Sequence, residues 1–407
     1  MLLGEKKVKF NYKAILLVMI IISFYQSVNS SSTIISSTAS FLMLAISSVS
    51  YLFFTRGKKL DTFSLIFILL FVLGQFVGFF YSHMTNNPNN KYLSILYFFV
   101  LFLFLFEYPS RYFVCEECVD NLLEAYQYFA VVMSLYALVF QLNRNIFDFR
   151  NESGFNLSNN WSSLFGHRNS FALMLVFGIF STIFLLIKEK SKRNYFFLLL
   201  LSFCLILTFS RASYLAVIVA ILVYVLLQSR KNIKLFLLYL FGVGSALLVY
   251  LKIPSVKYIV ETYMIRQNQG LTGRNTLWEK AETYLSGLPL LFGRGIDAER
   301  ILLQGDAVSS GTGFHNIILK TLVDGGVFFS ILLLILFIRT LIIINKGKNS
   351  KVKYFSISVF FGFFAYLNFE PAFILKPYWT SLGISLFMFT IPILIVEPEE
   401  KSTSRLA

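Results

Sequence analysis

Charge is scarce in this chain. Of its 407 residues only 14% are charged and 57% are hydrophobic, whereas a soluble domain carries roughly 25% charged residues. That shortage excludes an ordinary soluble enzyme: a chain this apolar needs lipid as its solvent. Cysteine is also scarce. Cys115, Cys118 and Cys204 cannot build a disulfide framework. The single Cys-x-x-Cys lacks the further ligands of a structural zinc site, because the three histidines (83, 167 and 315) lie far away in sequence. The pair reads as two reduced thiols. No Walker A, HExxH or GxSxG pattern occurs. The six Asp, at 61, 120, 148, 297, 306 and 324, never form Asp-x-Asp, the pair with which metal-dependent glycosyltransferases hold nucleotide sugars. No small-residue cleavage site follows the first apolar run, so that run is expected to be a retained helix.

What is present is apolar, aromatic and basic. The 47 Phe and 22 Tyr suit acyl chains and the membrane interface. The net charge of +15 would suggest nucleic acid in a soluble protein. Here the basic residues sit in short loops between apolar runs, so membrane topology explains them and nucleic acid is excluded as a partner.

A helix crossing the hydrocarbon needs about 20 apolar residues. By that measure spans fall near 14–30, 34–54, 61–81, 91–107, 122–141, 169–187, 194–210, 212–229, 233–251, 314–343, 352–370 and 377–396. The expected fold is therefore an all-α integral membrane protein of about 12 transmembrane helices. The run 195–228 is broken only at Ser210-Arg211-Ala212-Ser213. As one helix it would be about 51 Å long, too long for the bilayer, and it has basic loops at both ends. Two spans with Arg211 at a tight outer turn fit better. With the N-terminus inside, 21 Lys and Arg fall in cytoplasmic segments and six in short outer loops. The positive-inside rule then places both termini in the cytoplasm of a multi-pass protein of the cell membrane. The expected organisation is spans one to nine over 1–251, an extracytoplasmic loop with short helices over 252–313, spans ten to twelve over 314–396, and a cytoplasmic tail, 397–407.

This topology puts the candidate chemistry on the outer face. Arg211 at an apolar hairpin tip is costly without a partner; it either snorkels to lipid phosphate or forms an anion site. In the large loop, Thr272 is a possible N-cap, and Leu277, Trp278, Ala281, Tyr284 and Leu285 follow helical spacing. Arg274 and Trp278, four apart, share a face. An arginine in a first turn opposes the helix dipole and calls for an anionic partner. The loop's charges nearly cancel, so single arginines, Arg266 among them, have to do any binding. His315 and Asn316 stand at the mouth of the tenth span, where a histidine suits proton transfer near neutral pH or simply helix entry. Asp324, Gly325 and Gly326 follow, as an intramembrane acid and as marks of close helix packing. His167, Arg168 and Asn169 precede the sixth span, and Glu370 can pair with any of these arginines. Guanidinium forks suit phosphates. At an outer membrane surface the phosphate is most simply a lipid head group; on a pyrophosphate lipid, arginines can stabilise the leaving group in place of Mg²⁺.

Four motifs carry a resemblance: Ser210-Arg211 at the hairpin; Gly273-Arg274-x-x-x-Trp278; Pro289-Leu290-Leu291-x-Gly293-x-Gly295; and His315-Asn316 ahead of Gly325-Gly326. In this order, around a large loop between spans nine and ten, they resemble the O-antigen ligase and Wzy-type polymerase family. The likeness covers about 166–330; the first 160 residues match only in hydropathy, and Arg294 stands between the glycines where an uncharged residue is usual. The resemblance implies metal-independent transfer of a glycan from undecaprenyl diphosphate to a sugar hydroxyl, with inversion at the anomeric carbon and no cofactor. Arg211 and Arg274 would bind the donor pyrophosphate, His315 would sit at the acceptor, and Arg168, Asn169, Arg266, Trp278 and Asn316 would line the substrate site. Its partners would be the lipid-linked donor and acceptor oligosaccharides, membrane lipid, a chain-length regulator and a flippase. Polymerase and ligase use the same donor. A composition rich in Phe, Ile, Lys, Asn and Tyr suggests an AT-rich genome and leans toward a Gram-positive capsule polymerase. A lipid-linked oligosaccharide flippase is the alternative of a different class; it would place its essential charges at mid-membrane, not at the rim.

Overall fold

A computed structural model describes residues 2–29, 33–54, 60–81, 88–112, 116–141, 161–165, 167–229, 233–261, 274–296, 298–303, 313–370, 375 and 378–395. Arg266, Thr272, Cys115 and the tail 397–407 lie outside them. The described residues are helical, with no strand among them. A helix occupies each expected apolar run. In order they are α1 (Leu2–Val28), α2 (Thr33–Phe54), α3 (Thr62–Tyr81), α4 (Pro88–Phe102), α5 (Tyr108–Tyr112), α6 (Glu116–Gln141), α7 (Arg168–Lys188), α8 (Lys192–Leu207), α9 (Arg211–Ser229) and α10 (Ile233–Lys252). Four short helices follow: α11 (Pro254–Ile259), α12 (Arg274–Thr283), α13 (Leu288–Phe292) and α14 (Ala298–Leu302). The chain returns to long helices with α15 (Ile317–Asn345) and α16 (Ser350–Leu367), then ends in α17 (Trp379–Ser385) and α18 (Ile391–Ile395).

Among the described residues, four helical segments are long and apolar enough to cross a membrane: Val119–Gln141, Arg168–Lys188, Arg211–Ser229 and Ile317–Asn345. Shorter apolar helices accompany them at Ala14–Val28, Ser37–Tyr51, Thr62–Gly78, Ser94–Ser110 and Trp379–Ile395. The chain is a helical membrane protein.

α7 is apolar all round, and a helix of that kind belongs in the interior. It packs against α6, α8, α9, α16 and α17, and its residues from Phe171 to Thr182 are all buried. Small residues let its neighbours approach. A Cβ on Gly178 would lie 2.4 Å from Cβ of Ala130 on α6, and one on Gly362 of α16 would lie 2.6 Å from the Ala216 carbonyl on α9. Because α7 is central, its first residues, Arg168 and Asn169, emerge in the middle of one end of the bundle.

The break at 208–210 is a reversal of direction. Arg211 meets Arg168, at the start of α7, in one cleft, whereas Tyr224, further along α9, stacks edge-on with Phe355, which also meets Phe184 near the end of α7. α9 therefore runs back from the end that α8 reached. Thr208 Oγ1 donates to the Leu205 carbonyl, Phe209 takes a positive φ of 50°, and Tyr214 Oη reaches the Ile206 carbonyl across the turn.

Three features go beyond the sequence pattern. α4 and α5 are joined by a π-turn over Leu103–Glu107, and α17 and α18 by another over Leu386–Thr390. The two π-turns meet: Thr390 Oγ1 donates to the Leu105 carbonyl at 2.7 Å. Third, α15 is broken at Gly326, whose φ is 65°. The break receives the tip of the 289–295 segment, since a Cβ on Gly326 would fall 2.3 Å from the Leu291 carbonyl carbon, and one on Gly293 2.3 Å from the Gly325 nitrogen. The glycines at 325 and 326 thus serve close backbone packing. Gln75 of α3 accepts the Ile296 N–H at 2.8 Å and closes the other side of the tip.

Candidate active site

The end of the bundle where α7 and α9 begin holds a small open cleft of about 110 Å³, lined by His167, Arg168, Asn169, Phe209, Arg211, Ala212, Arg274 and Glu370. Three arginines and one carboxylate face it. Each comes from a different part of the chain: Arg168 from the start of α7, Arg211 from the start of α9, Arg274 from the start of α12 and Glu370 from just past α16. Helix starts gather partial positive charge, so two long helices and one short one add their dipoles to the three guanidiniums.

Local structure fixes each group. The segment before α7 is tied down by Gln141, whose Oε1 accepts the N–H groups of Ser162 and Ser163 and whose Nε2 donates to the Ser163 carbonyl. Trp161 Nε1 donates to the Cys204 carbonyl of α8. His167 then caps α7, its Nδ1 accepting the Asn169 N–H at 3.1 Å. Asn169 Nδ2 donates to Glu370 Oε1 at 2.9 Å, and Arg274 Nη2 stands 3.6 Å from the same oxygen. Glu370 is the anionic partner that an arginine in the first turn of α12 requires. The Arg274 guanidinium also lies 6.0 Å from the centroid of the Phe369 ring. Arg168 is buried, and its Nε has no hydrogen-bond partner, an unfilled donor beside the cleft.

Glu370 sits in a divided environment. Burial pushes its carboxyl up to about 7, against the downward pull of Arg274, Arg168 and Arg211. With Glu370 ionised the four charged groups sum to +2; protonated, to +3.

His315 stands at the edge of this constellation, in a left-handed backbone conformation with φ 52°. Its ring hydrogen-bonds the Phe369 backbone, and its Nδ1 is buried without a partner. Burial, with Arg274 and then His167 adding to it, lowers its pKa to about 4, while Glu299 and the Phe369 bond oppose the shift. The ring is therefore neutral at physiological pH, and its Nδ1 is an unfilled acceptor inside the fold.

The structure thus gathers Arg168, Asn169, Arg211 and Arg274 into one cleft and sets His315 beside it. Trp278 and Asn316 are engaged in the fold itself. The Trp278 indole N–H donates to the Phe314 carbonyl at 2.9 Å, and Asn316 Oδ1 caps α15 by accepting the N–H groups of Ile318 and Leu319. Arg266 lies outside the described residues. Arg294 folds back on its own loop, donating from Nε to the Tyr284 carbonyl at 3.0 Å. Sequence reasoning left Glu370 as a floating counter-ion; its only signal was an acid at the end of an apolar run. No group of three or more His, Cys, Asp or Glu that could hold a metal occurs among the described residues.

Residues 196–338 fit the family model described as O-Antigen ligase; no curated protein matches the chain. The matched stretch contains Arg211, Arg274, Trp278, His315 and Asn316, while Arg168, Asn169 and Glu370 lie outside it. Over residues 196–338, about a third of the chain, this protein is therefore similar to the O-antigen ligase family.

Proposed function

We propose that the protein is a polysaccharide repeat-unit polymerase. It transfers a glycan from undecaprenyl diphosphate to a sugar hydroxyl of another lipid-linked repeat unit at the outer face of the cell membrane. In this reading all twelve apolar segments cross the membrane, both termini are cytoplasmic, and 252–313 is the extracytoplasmic loop. The observation that carries the reading is the meeting of Arg168, Arg211 and Arg274 around a single carboxylate. Guanidinium forks bind phosphate oxygens in bidentate fashion, and a net cationic cleft at a membrane rim fits a lipid diphosphate better than a neutral ligand.

The chemistry follows from the charges. The acceptor hydroxyl oxygen forms a bond to the anomeric carbon as the bond from that carbon to the diphosphate oxygen breaks. Negative charge grows on the departing undecaprenyl diphosphate, where Arg211, Arg274 and Arg168 stabilise it in place of a metal ion. His315, a neutral ring beside Arg274, takes the hydroxyl proton. Attack from the face opposite the diphosphate inverts the anomeric centre. A chain-length regulator and a flippase are the partners this activity would require.

A second reading is ligase-type transfer to a different acceptor, favoured by the description of the matching family model. The position of the arginines at helix ends supports group transfer over transport by a flippase, for which mid-membrane charges are expected. The test is a deletion strain carrying Arg211→Ala, Arg274→Ala or His315→Ala, examined by glycan gel with the protein quantified in the membrane. Single repeat units in place of polymer support a polymerase; long chains retained on the lipid carrier indicate a ligase; normal polymer from all three variants refutes the assignment.

A further inference from the structure

Resting on the reading of His315 as the base, we propose that Glu299, Lys320 and Trp278 are positioning residues that clamp the Phe314 peptide and thereby hold His315 in its left-handed conformation. A histidine with φ 52° occupies a region that residues with a Cβ seldom adopt, and such a conformation persists only where its surroundings over-determine it. Here they do. The Phe314 ring is fully buried in a small apolar cluster with Leu277, Ala281, Ala298, Leu303 and Val323, separate from the main core. Its N–H donates to Glu299 Oε2 at 3.2 Å, and its carbonyl accepts the Trp278 indole N–H at 2.9 Å. Both polar groups of the residue before His315 are thus held by side chains from two other helices, α14 and α12.

The clamp is anchored in turn. Lys320, one turn into α15, forms an ion pair with Glu299 Oε1 and lies 3.0 Å from Asp324 Oδ2. All three side chains are buried. Glu299 therefore uses one oxygen for the backbone and the other for Lys320. Such a carboxylate keeps its orientation, because rotating it would leave a buried charge uncompensated. On the far side, Asn316 caps α15. Since α12 carries both Arg274 and Trp278, the helix that supplies an arginine to the cleft also sets the backbone of the base.

This arrangement differs from a plain stabilising salt bridge in one testable respect: Glu299 must accept a hydrogen bond, and a lysine in its place cannot. The test uses the full-length protein in native membranes, scoring polymer formed per folded protein, and the purified protein titrated with undecaprenyl diphosphate. Trp278→Phe, which keeps an aromatic ring, and Glu299→Leu should each lower polymer formation about ten-fold, with the dissociation constant for undecaprenyl diphosphate within about two-fold of wild type. Glu299→Gln, which retains the acceptor, should lie within about three-fold of wild type. The charge-swapped pair Glu299→Lys with Lys320→Glu should remain impaired. Wild-type turnover in Trp278→Phe and Glu299→Leu, or recovery in the swapped pair, overturns the clamp. Undecaprenyl diphosphate affinity falling in step with turnover also overturns it. Full activity of His315→Ala would instead reject the base itself, a result read independently of the clamp variants.

Discussion

Cations at the two ends of this bundle keep different company. At the end away from the cleft, Lys188 lies 2.7 Å from Asp120, Arg193 lies 3.5 Å from Glu124, and Arg339 lies 2.7 Å from Asp61. Each is matched one to one, with side chains between 24% and 49% exposed. Pairs of that kind, open to solvent, contribute little. At the cleft, three arginines share one carboxylate, and the Arg274–Glu370 pair is only 13% and 10% exposed. An excess of buried like charge is costly unless something else neutralises it.

The comparison breaks hardest at the arginines. Arg274→Ala or Arg211→Ala should reduce polymer formation by about 100-fold or more, the scale for losing a donor to a developing oxyanion, with the protein still present in the membrane. Arg211→Lys should retain part of the activity, because the charge remains and the planar fork is lost. A glycan gel, with membrane abundance measured alongside, reads both.

Next in size is the joint between loop and bundle. Gly326→Ala places a Cβ on a residue at φ 65° and 2.3 Å from the Leu291 backbone. The variant should be destabilised by about 1–3 kcal/mol, seen as a lowered thermal midpoint of the detergent-purified protein.

A pH titration sharpens the comparison further. Glu370, raised to about 7 by burial, loses its charge as pH falls through that value. The cleft then gains one net positive charge, so undecaprenyl diphosphate should bind several-fold tighter at pH 6 than at pH 8. Glu370→Gln should bind tightly and lose this dependence. Stability linked to Glu370 has the same sign: a carboxyl whose folded pKa is raised favours the folded state below about 7 and loses that benefit as pH rises from the unfolded carboxylate range to about 7. His315, near 4, stays neutral across this window, so protonation of the base should not limit turnover until pH nears 4.

The smallest effect is expected at the paired end. Lys188→Ala or Arg193→Ala should change stability by less than about 1 kcal/mol and leave polymer formation near wild type, as a gel of either variant would show.

Much of this was legible in the sequence. Apolar runs located the helices, because hydropathy is summed over many residues and tolerates local error. The reversal at Ser210-Arg211 followed from bilayer thickness together with the basic loops at both ends of the run. The meeting of Arg168, Arg211 and Arg274 was inferable only as a shared side of the membrane, since residues more than 40 apart say nothing of distance. The binding of Glu370 to Arg274 and Asn169 was invisible for the same reason. Trp278 entered the substrate site only through the family resemblance; that its indole donates to the Phe314 carbonyl is something no spacing rule reports. The π-turns at 103–107 and 386–390 leave no compositional trace, because each inserts within an otherwise continuous apolar helix.

The central claim is that the arginine cleft binds a lipid diphosphate without a metal ion. Titrating the purified protein with undecaprenyl diphosphate in EDTA tests it most directly. The account predicts saturable binding that exceeds that of undecaprenyl monophosphate and is lost in Arg211→Ala and Arg274→Ala; equal binding by wild type and both variants, or binding that vanishes with EDTA, would contradict it.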